Sequence, residues 1–205
     1  RLKDSGKKLF AYIYPDYWAD IGRISDYFEF NMAYAAGKGP IDLGEKVVRT
    51  YLRNLPMATI TDSDVKFAQL SPGDRIEGSQ LRLVIAGYQV TVDSGSEIDH
   101  SMLLGADRNT SSNRYSSLVR KSKLSKVVLD KNVWVENCDL GPHNGSPEER
   151  AARLIKSGLE PYSVNDEGII KGDFYIDKET GILCIKKQRE IDSDKKRPFL
   201  YNITA

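Results

Sequence analysis

The feature that most constrains the fold is a period-two pattern of apolar residues on either side of Ala86-Gly87. Successive side chains of a β-strand point to opposite faces, so this pattern predicts strands with one buried face. The apolar positions are Leu81, Leu83 and Ile85 before the pair, and Tyr88, Val90 and Val92 after it. We expect the two runs to form a β-hairpin whose tight turn lies at Ala86-Gly87.

Further strands and turns are indicated along the chain. The alternation from Phe28 to Tyr34 predicts a strand, and Ser71-Pro72-Gly73-Asp74 has the residues of a turn. No internal repeat is visible in the sequence. Many short strands joined by Gly and Pro turns are typical of two stacked sheets. We therefore predict a mainly β protein, with a β-sandwich or jelly-roll-like domain and a smaller C-terminal α+β part.

One helix has clear sequence signals at both ends. Ser146 is a good N-cap, Pro147 suits the first helical position, and Glu149 completes a capping box. Gly158 is well placed to end the helix, because glycine readily adopts a left-handed conformation. The pattern predicts a helix over residues 146–157.

The segment from Asn137 to Gly145 is rich in Gly and Asn and is the predicted linker between two domains. Residues 1–136 would form a β-rich domain with an aromatic N-terminal segment. Residues 146–205 would form a small α+β part, in which the helix is followed by β-hairpins, one of them turning at residues 178–181.

The charge balance and the reactive side chains exclude several classes of partner. The chain has 30 Lys and Arg against 29 Asp and Glu, so a nucleic-acid specificity is not expected. No apolar run approaches the roughly 20 residues of a membrane span. His100 and His143 lack metal-ligand spacing, so neither a metal site nor a cofactor is predicted. Cys138 and Cys184 allow one disulfide at most.

Aromatic residues are concentrated between Phe10 and Tyr34. Clusters of this kind most often form a core or an interface between subunits, because aromatic rings bury a large apolar area. The predicted interface residues are Phe10, Tyr12, Tyr14, Tyr17, Trp18, Phe28 and Phe30. We expect them to mediate contacts between subunits.

Asp93 is the one candidate catalytic residue, in the triplet Asp93-Ser94-Gly95. The stretch from Leu81 to Asp99 resembles the hairpin that enters the active site of retroviral-type aspartic proteases. The resemblance implies a dimer in which Asp93 and its twin share a proton, since two close carboxylates do not easily both ionise. The alternative is a strand end followed by a polar turn.

Two further stretches resemble known families. Tyr162-Ser163-Val164, Phe174 to Gly181 and Phe199 to Ala205 follow the order of elements in a cadherin-type repeat, which implies an adhesion domain over residues 162–205. Residues 41–107 resemble the β-rich structural proteins of tailed-phage particles. The matching segments there are Leu70 to Ile76, Leu81 to Ala86 and Val90 to Gly95.

The function predicted from these patterns is a non-enzymatic structural component of a multi-subunit assembly. Its most concrete form is a phage-like virion protein of the capsid, decoration, neck or tail. The partners would be other protein subunits of the same assembly, in a homo-oligomer, within a virion or another soluble assembly. One alternative is an extracellular cadherin-like adhesion domain, and another is a dimeric aspartic protease that uses Asp93.

Overall fold

A computed structural model describes residue 8 and residues 10–42, 54–106, 117–164, 170–185 and 199–201. Within these ranges the chain forms two α-helices, one turn of 3-10 helix (Pro142–Asn144) and sixteen short strands. The helices are α1 (Ile24–Ala35) and α2 (Pro147–Lys156). The strands are β1 (Thr59–Thr61), β2 (Asp64–Gln69), β3 (Arg75–Glu77), β4 (Gln80–Ala86), β5 (Val90–Val92), β6 (Glu97–Leu103), β7 (Ser117–Arg120), β8 (Lys123–Ser125), β9 (Val127–Leu129), β10 (Val133–Glu136), β11 (Asp139–Leu140), β12 (Ser163–Val164), β13 (Ile170–Lys171), β14 (Phe174–Ile176), β15 (Leu183–Ile185) and β16 (Phe199–Tyr201).

Most of the described strands pair in parallel with strands one turn of the chain further on, whereas β12 pairs with β13, and β14 with β15, in antiparallel fashion. One sheet has the order β1-β3-β5-β7-β10-β16, and all its pairs are parallel. In this sheet Thr59 is paired with Arg75, and Arg75 is paired with Thr91, so successive partners are separated by the same number of residues. In the second sheet Asp64 is paired with Gln80 and Gln80 with Glu97, and the sequence separation of these partners is nearly the same. The chain therefore winds as a parallel β-helix.

Each coil of this β-helix has three sides, which we name from the strands that form them. Side one is the sheet from β1 to β16. Strands β2, β4 and β6 are each bent in the middle, so their first halves form side two and their second halves form side three. Side two continues in β8 and β11, and side three in β9 and β15.

The three corners of the coil are made by residues in the left-handed conformation. Their φ values lie between 45° and 86°. The corner residues are Asp62, Gly78, Gly95, Lys121 and Asn137 between sides one and two; Phe67, Leu83, His100 and Lys126 between sides two and three; and Gly73, Gln89, Gly105 and Asn132 between sides three and one. This conformation costs a non-glycine residue roughly 1–2 kcal/mol. The packing of each coil on the next must offset that cost.

The core is a set of stacked apolar ladders inside the coils. Each inward side chain lies directly above the equivalent side chain of the preceding coil. The ladders are Ile76, Val92, Val119 and Val135 on side one; Leu81, Ile98, Leu124 and Leu140 on side two; and Ala86, Leu103, Leu129 and Ile185 on side three. All of these side chains are buried. The β-helix is therefore a packed rod rather than a channel.

Helix α1 covers the outer surface of side three. Phe28 and Met32 are buried there with Met102, Val128 and Cys184. The predicted strand from Phe28 to Tyr34 is wrong. Its apolar residues fit a helix as well as a strand, because residues 28, 32 and 35 lie on one helical face.

The predicted helix after the linker is confirmed as α2. The Ser146 side chain accepts a hydrogen bond from the backbone N–H of Glu149, and the Glu149 carboxylate accepts one from the N–H of Ser146. Strands β14 and β15 form an antiparallel pair, and β15 also pairs in parallel with β9. The division of the chain into residues 1–136 and 146–205 stays a prediction.

The prediction of a mainly β protein is confirmed, but the strands do not form a sandwich or jelly roll. Those folds need antiparallel strands, whereas the main ladders here are parallel. The predicted hairpin at Ala86-Gly87 is wrong for the same reason. Strand β4 pairs with β2 and β6, while β5 pairs with β3 and β7 on another side.

The chain does have an internal repeat, although none was recognised in the sequence. The repeating unit is one coil, such as the coil that leads from Thr59 to its partner Arg75.

Candidate functional site

Asp93 lies at the end of β5, in a ladder of charges across successive coils of side one. Its Oδ2 accepts hydrogen bonds from Nε and Nη2 of Arg120, at 2.7 Å and 2.6 Å. Nη1 of Arg120 is 3.5 Å from Oε1 of Glu136 on the next coil. The hydrogen bond to Asp93 raises the pKa of Arg120 above its ordinary value. In this geometry the carboxylate ties coils together, and its neighbour is a cation rather than a second carboxyl group.

The structure separates the predicted interface aromatics into two groups. Five of them are exposed, by 88% (Phe10), 82% (Tyr12), 56% (Tyr14), 48% (Tyr17) and 74% (Trp18). Phe30 is partly buried beside Tyr17. Phe28 is fully buried, and its ring stacks on His100 with centroids 5.4 Å apart. Phe28 is therefore a core residue between α1 and the β-helix.

The two histidines lie in different surroundings. His100 forms a corner of the third coil, and its Nε2 is buried without a hydrogen-bond partner. His143 is exposed, and its Nε2 is 2.7 Å from Oδ1 of Asp139. Across the part of the chain that the structure describes, no group of three or more His, Cys, Asp or Glu residues could hold a metal.

Cys138 and Cys184 are both buried, and neither forms a disulfide. They belong to separate clusters, one inside the coils and the other beneath α1. The Cys138 thiol donates a hydrogen bond to the backbone carbonyl of Glu136 at 3.1 Å. Both cysteines fill small spaces in their clusters. Neither α1 nor α2, the helices of the described ranges, is long and apolar enough to cross a membrane.

Side two presents a charged groove of about 550 Å³ that the sequence alone did not reveal. The parallel register sets its outward side chains in two columns, one above another. The charged residues along it include Asp64, Lys66, Arg82, Glu97, Asp99 and Lys123. Ion pairs join Lys66 to Asp64 at 3.1 Å and Lys123 to Glu97 at 2.9 Å. Charges of opposite sign thus largely satisfy one another along this face.

The first coil has an open edge. Among the described strands, β1 pairs only with β3, and β2 only with β4, so one backbone edge of each is left without a strand partner. We call β1 and β2 the first-coil edge. Apolar side chains are exposed around it: Met57 by 83%, Ile60 by 51% and Phe67 by 65%. Unpaired strand edges with apolar side chains are sites where another chain can add.

Comparisons with known proteins agree on the kind of protein to which most of the β-helix is similar. The sequence model of the GLGC left-handed parallel beta-helix domain matches residues 53–196. A glucose-1-phosphate adenylyltransferase of Photobacterium profundum is 30% identical over 161 residues, which is 75% of this chain and 35% of that protein. The glucose-1-phosphate adenylyltransferase large subunit 2 of Hordeum vulgare is 26% identical over 130 residues, 62% of this chain and 71% of that protein. The chain thus spans about a third of the bacterial relative.

These matches overturn the functional predictions made from sequence. The resemblances to phage structural proteins over 41–107 and to a cadherin repeat over 162–205 are wrong, because one β-helix family matches residues 53–196, which are most of both regions. The predicted non-enzymatic virion role and the virion location are wrong, since the relatives are adenylyltransferases. The extracellular adhesion domain and the aspartic protease fail on the same finding. The predicted phage subunits are wrong as partners. The name of the Hordeum vulgare relative, a large subunit, implies that this relative assembles with other protein subunits.

The different positions of Phe28 and Phe10 give a direct test of the α1 contact. We expect Phe28→Ala to lower the free energy of unfolding by about 3–5 kcal/mol, because it leaves a cavity between α1 and side three. Phe10→Ala, measured on residues 1–205 without the rest of the longer protein, should change it by less than about 0.5 kcal/mol, because this side chain is 88% exposed there. Urea unfolding followed by circular dichroism measures both. Equal effects of the two substitutions would contradict the packing described here.

Proposed function

The chain belongs to the GLGC left-handed parallel beta-helix domain family, and we propose that it is the β-helix part of a glucose-1-phosphate adenylyltransferase. The observation that carries the proposal is the match over residues 53–196, which contains every strand from β1 to β15. An enzyme of that name joins an adenylyl group to the phosphate of glucose 1-phosphate. With ATP as donor, the products are ADP-glucose and pyrophosphate.

We assign the exposed aromatics of residues 10–18 to a contact with another part of the longer protein. These residues lie outside any helix or strand and precede α1. The apolar run Phe10-Ala11-Tyr12-Ile13-Tyr14 would suit a strand covered on both faces. Exposed large apolar side chains that follow one another in this way mark a contact with protein. The bacterial relative is long enough to supply one, since this chain covers 35% of it.

The first-coil edge is the proposed contact with a second copy of the chain. Two β-helices stacked end to end about a two-fold axis would pair β2 with its mate in antiparallel fashion. Centred on Val65, this pairing sets Asp64 of one copy opposite Lys66 of the other. The same axis brings β1 toward the second half of the mate's β2, so Ile60 approaches the exposed Phe67. Charge and apolar surface are thus both self-complementary across this edge.

The enzymatic proposal is tested on the full-length protein that contains residues 1–205. Incubated with ATP and glucose 1-phosphate, it should form ADP-glucose and pyrophosphate, which chromatography separates. UTP in place of ATP serves as the control and should give far less product. If neither the protein alone nor the protein mixed with its co-purifying subunits forms ADP-glucose, the proposal fails.

The assembly proposal predicts a change in solution mass on substitution at the first-coil edge. Ile60→Asp should weaken self-association at least about tenfold, because it buries an unpaired charge against the mate. Ile155→Asp on α2 is the matched control, since both isoleucines are 51% exposed. Light scattering over a concentration series reports the mass. An Ile60→Asp variant that assembles as well as the Ile155→Asp variant would exclude this edge.

A further inference from the structure

Lys66 lies at the first-coil edge between one acid and one base. Its Nζ is 3.1 Å from Oδ2 of Asp64, two residues earlier on β2. The register of β2 and β4 places Lys66 beside Arg82 of the second coil, on the same outer face. Like charges directly opposite one another on neighbouring strands destabilise a sheet. Lys66 thus has a repulsive neighbour on one side, and among the described residues no strand lies on the other.

Elsewhere on side two, an ion pair joins one coil to the next. Lys123 is 2.9 Å from Glu97, and the register places these two residues opposite each other on neighbouring strands. The ion pair of Asp64 and Lys66 instead lies within a single strand, and both of its side chains are more than half exposed. A second copy stacked on the first-coil edge would supply the neighbouring strand that this ion pair lacks.

Val65 lies between the two charged residues and faces the interior of the β-helix. The register makes it the first member of the ladder that continues as Leu81 and Ile98. Val65 is partly buried, whereas the two later members are buried. Residues directly opposite in an antiparallel pair of strands point to the same face. A mate whose Val65 lies opposite this one would therefore cover the end of the ladder with an equivalent apolar side chain.

The charges on β2 distinguish the registers in which two copies of this strand could pair. An antiparallel pair that keeps the charged faces together is centred on Asp64, Val65 or Lys66. The first choice sets two carboxylates opposite each other, and the third sets two ammonium groups opposite each other, so both are unfavourable. Only the pair centred on Val65 places each Asp64 opposite a Lys66. The arrangement that covers the ladder is thus also the one that the charges favour.

We propose that the ion pair of Asp64 and Lys66 is exchanged, when two copies associate, for two ion pairs between the copies, and that this exchange selects both register and partner. The inference rests on the assembly at the first-coil edge proposed above. In that assembly the mate's carboxylate approaches Lys66 from the side away from Arg82. A different subunit is accepted only if it carries an acid and a base at the same two places, because otherwise like charges meet.

A disulfide at the two-fold axis reports this register. With Val65→Cys in the full-length protein, the two introduced thiols lie directly opposite each other on paired strands, where a disulfide can form. Mild oxidation should join the two copies at position 65, and mass spectrometry of the peptides identifies the link. Because the readout is specific to this position, contacts made elsewhere in the longer protein do not affect it.

Charge reversals in the Val65→Cys protein test the exchange. Asp64→Lys should lower the yield of the link at least about tenfold, because the new lysine meets Lys66 of the mate. Lys66→Asp should do the same, since two carboxylates then meet. An equal mixture of these two variants should restore the link between unlike copies. Both reversals in one chain should restore it between like copies but prevent a link to a copy without them; isotope labelling of one chain distinguishes these products.

The ion pair of Glu97 and Lys123 provides the matched control, since its side chains are 54% and 55% exposed and lie away from the edge. Glu97→Lys and Lys123→Asp should leave the link unchanged. If the reversals on β2 have no more effect than these, the exchange is wrong, although an assembly that Ile60→Asp weakens would stand. If Ile60→Asp weakens the assembly but no link forms at position 65, the register is wrong. If no link forms and Ile60→Asp has no effect, both the assembly and the exchange are wrong.

Discussion

The backbone hydrogen bonds between one coil and the next are the constraint on which the rest of this structure depends. A parallel pairing that advances by one nearly constant step per coil places each side chain above its equivalent in the coil below. Inward positions must then be apolar and of compatible size, as in the ladder of Leu81, Ile98 and Leu124. The same pairing demands three sharp corners per coil, and left-handed residues supply them.

The stacking also decides what each outer side can do. Side three is apolar and is covered by α1, where Phe28 packs on His100. Side two bears columns of charges that largely pair with one another. Side one is tied across its coils by Asp93, Arg120 and Glu136. The first-coil edge differs from all three, because one backbone edge of β1 and of β2 lacks a strand partner among the described residues. This difference is why we place the contact with a second copy there.

The sequence predicted short-range structure well and long-range pairing poorly. The capping box at Ser146 and Glu149 and the mainly β character follow from local rules, which a single sequence expresses directly. The repeat was missed because its corners accept residues as different as Gly78, Lys121 and Asn137. It was also hidden because the coil from Glu97 to Lys123 is longer than the coils before it. Phe28 was assigned to a strand because a short apolar alternation fits a strand as well as a helix. Asp93 was considered a catalytic candidate because its ion-pair partner, Arg120, is distant in sequence and could not be recognised.

The parallel register is tested most directly by two double-cysteine variants that have Thr91→Cys in common. In a background with Cys138 and Cys184 replaced by serine, Arg75→Cys with Thr91→Cys should form a disulfide, since these residues are paired on adjacent coils of side one. Arg82→Cys with Thr91→Cys should not, because the two residues lie on different sides of the β-helix. A hairpin turning at Ala86-Gly87 would place residues 82 and 91 opposite each other. Crosslinking of 82 to 91, without crosslinking of 75 to 91, would contradict the β-helix.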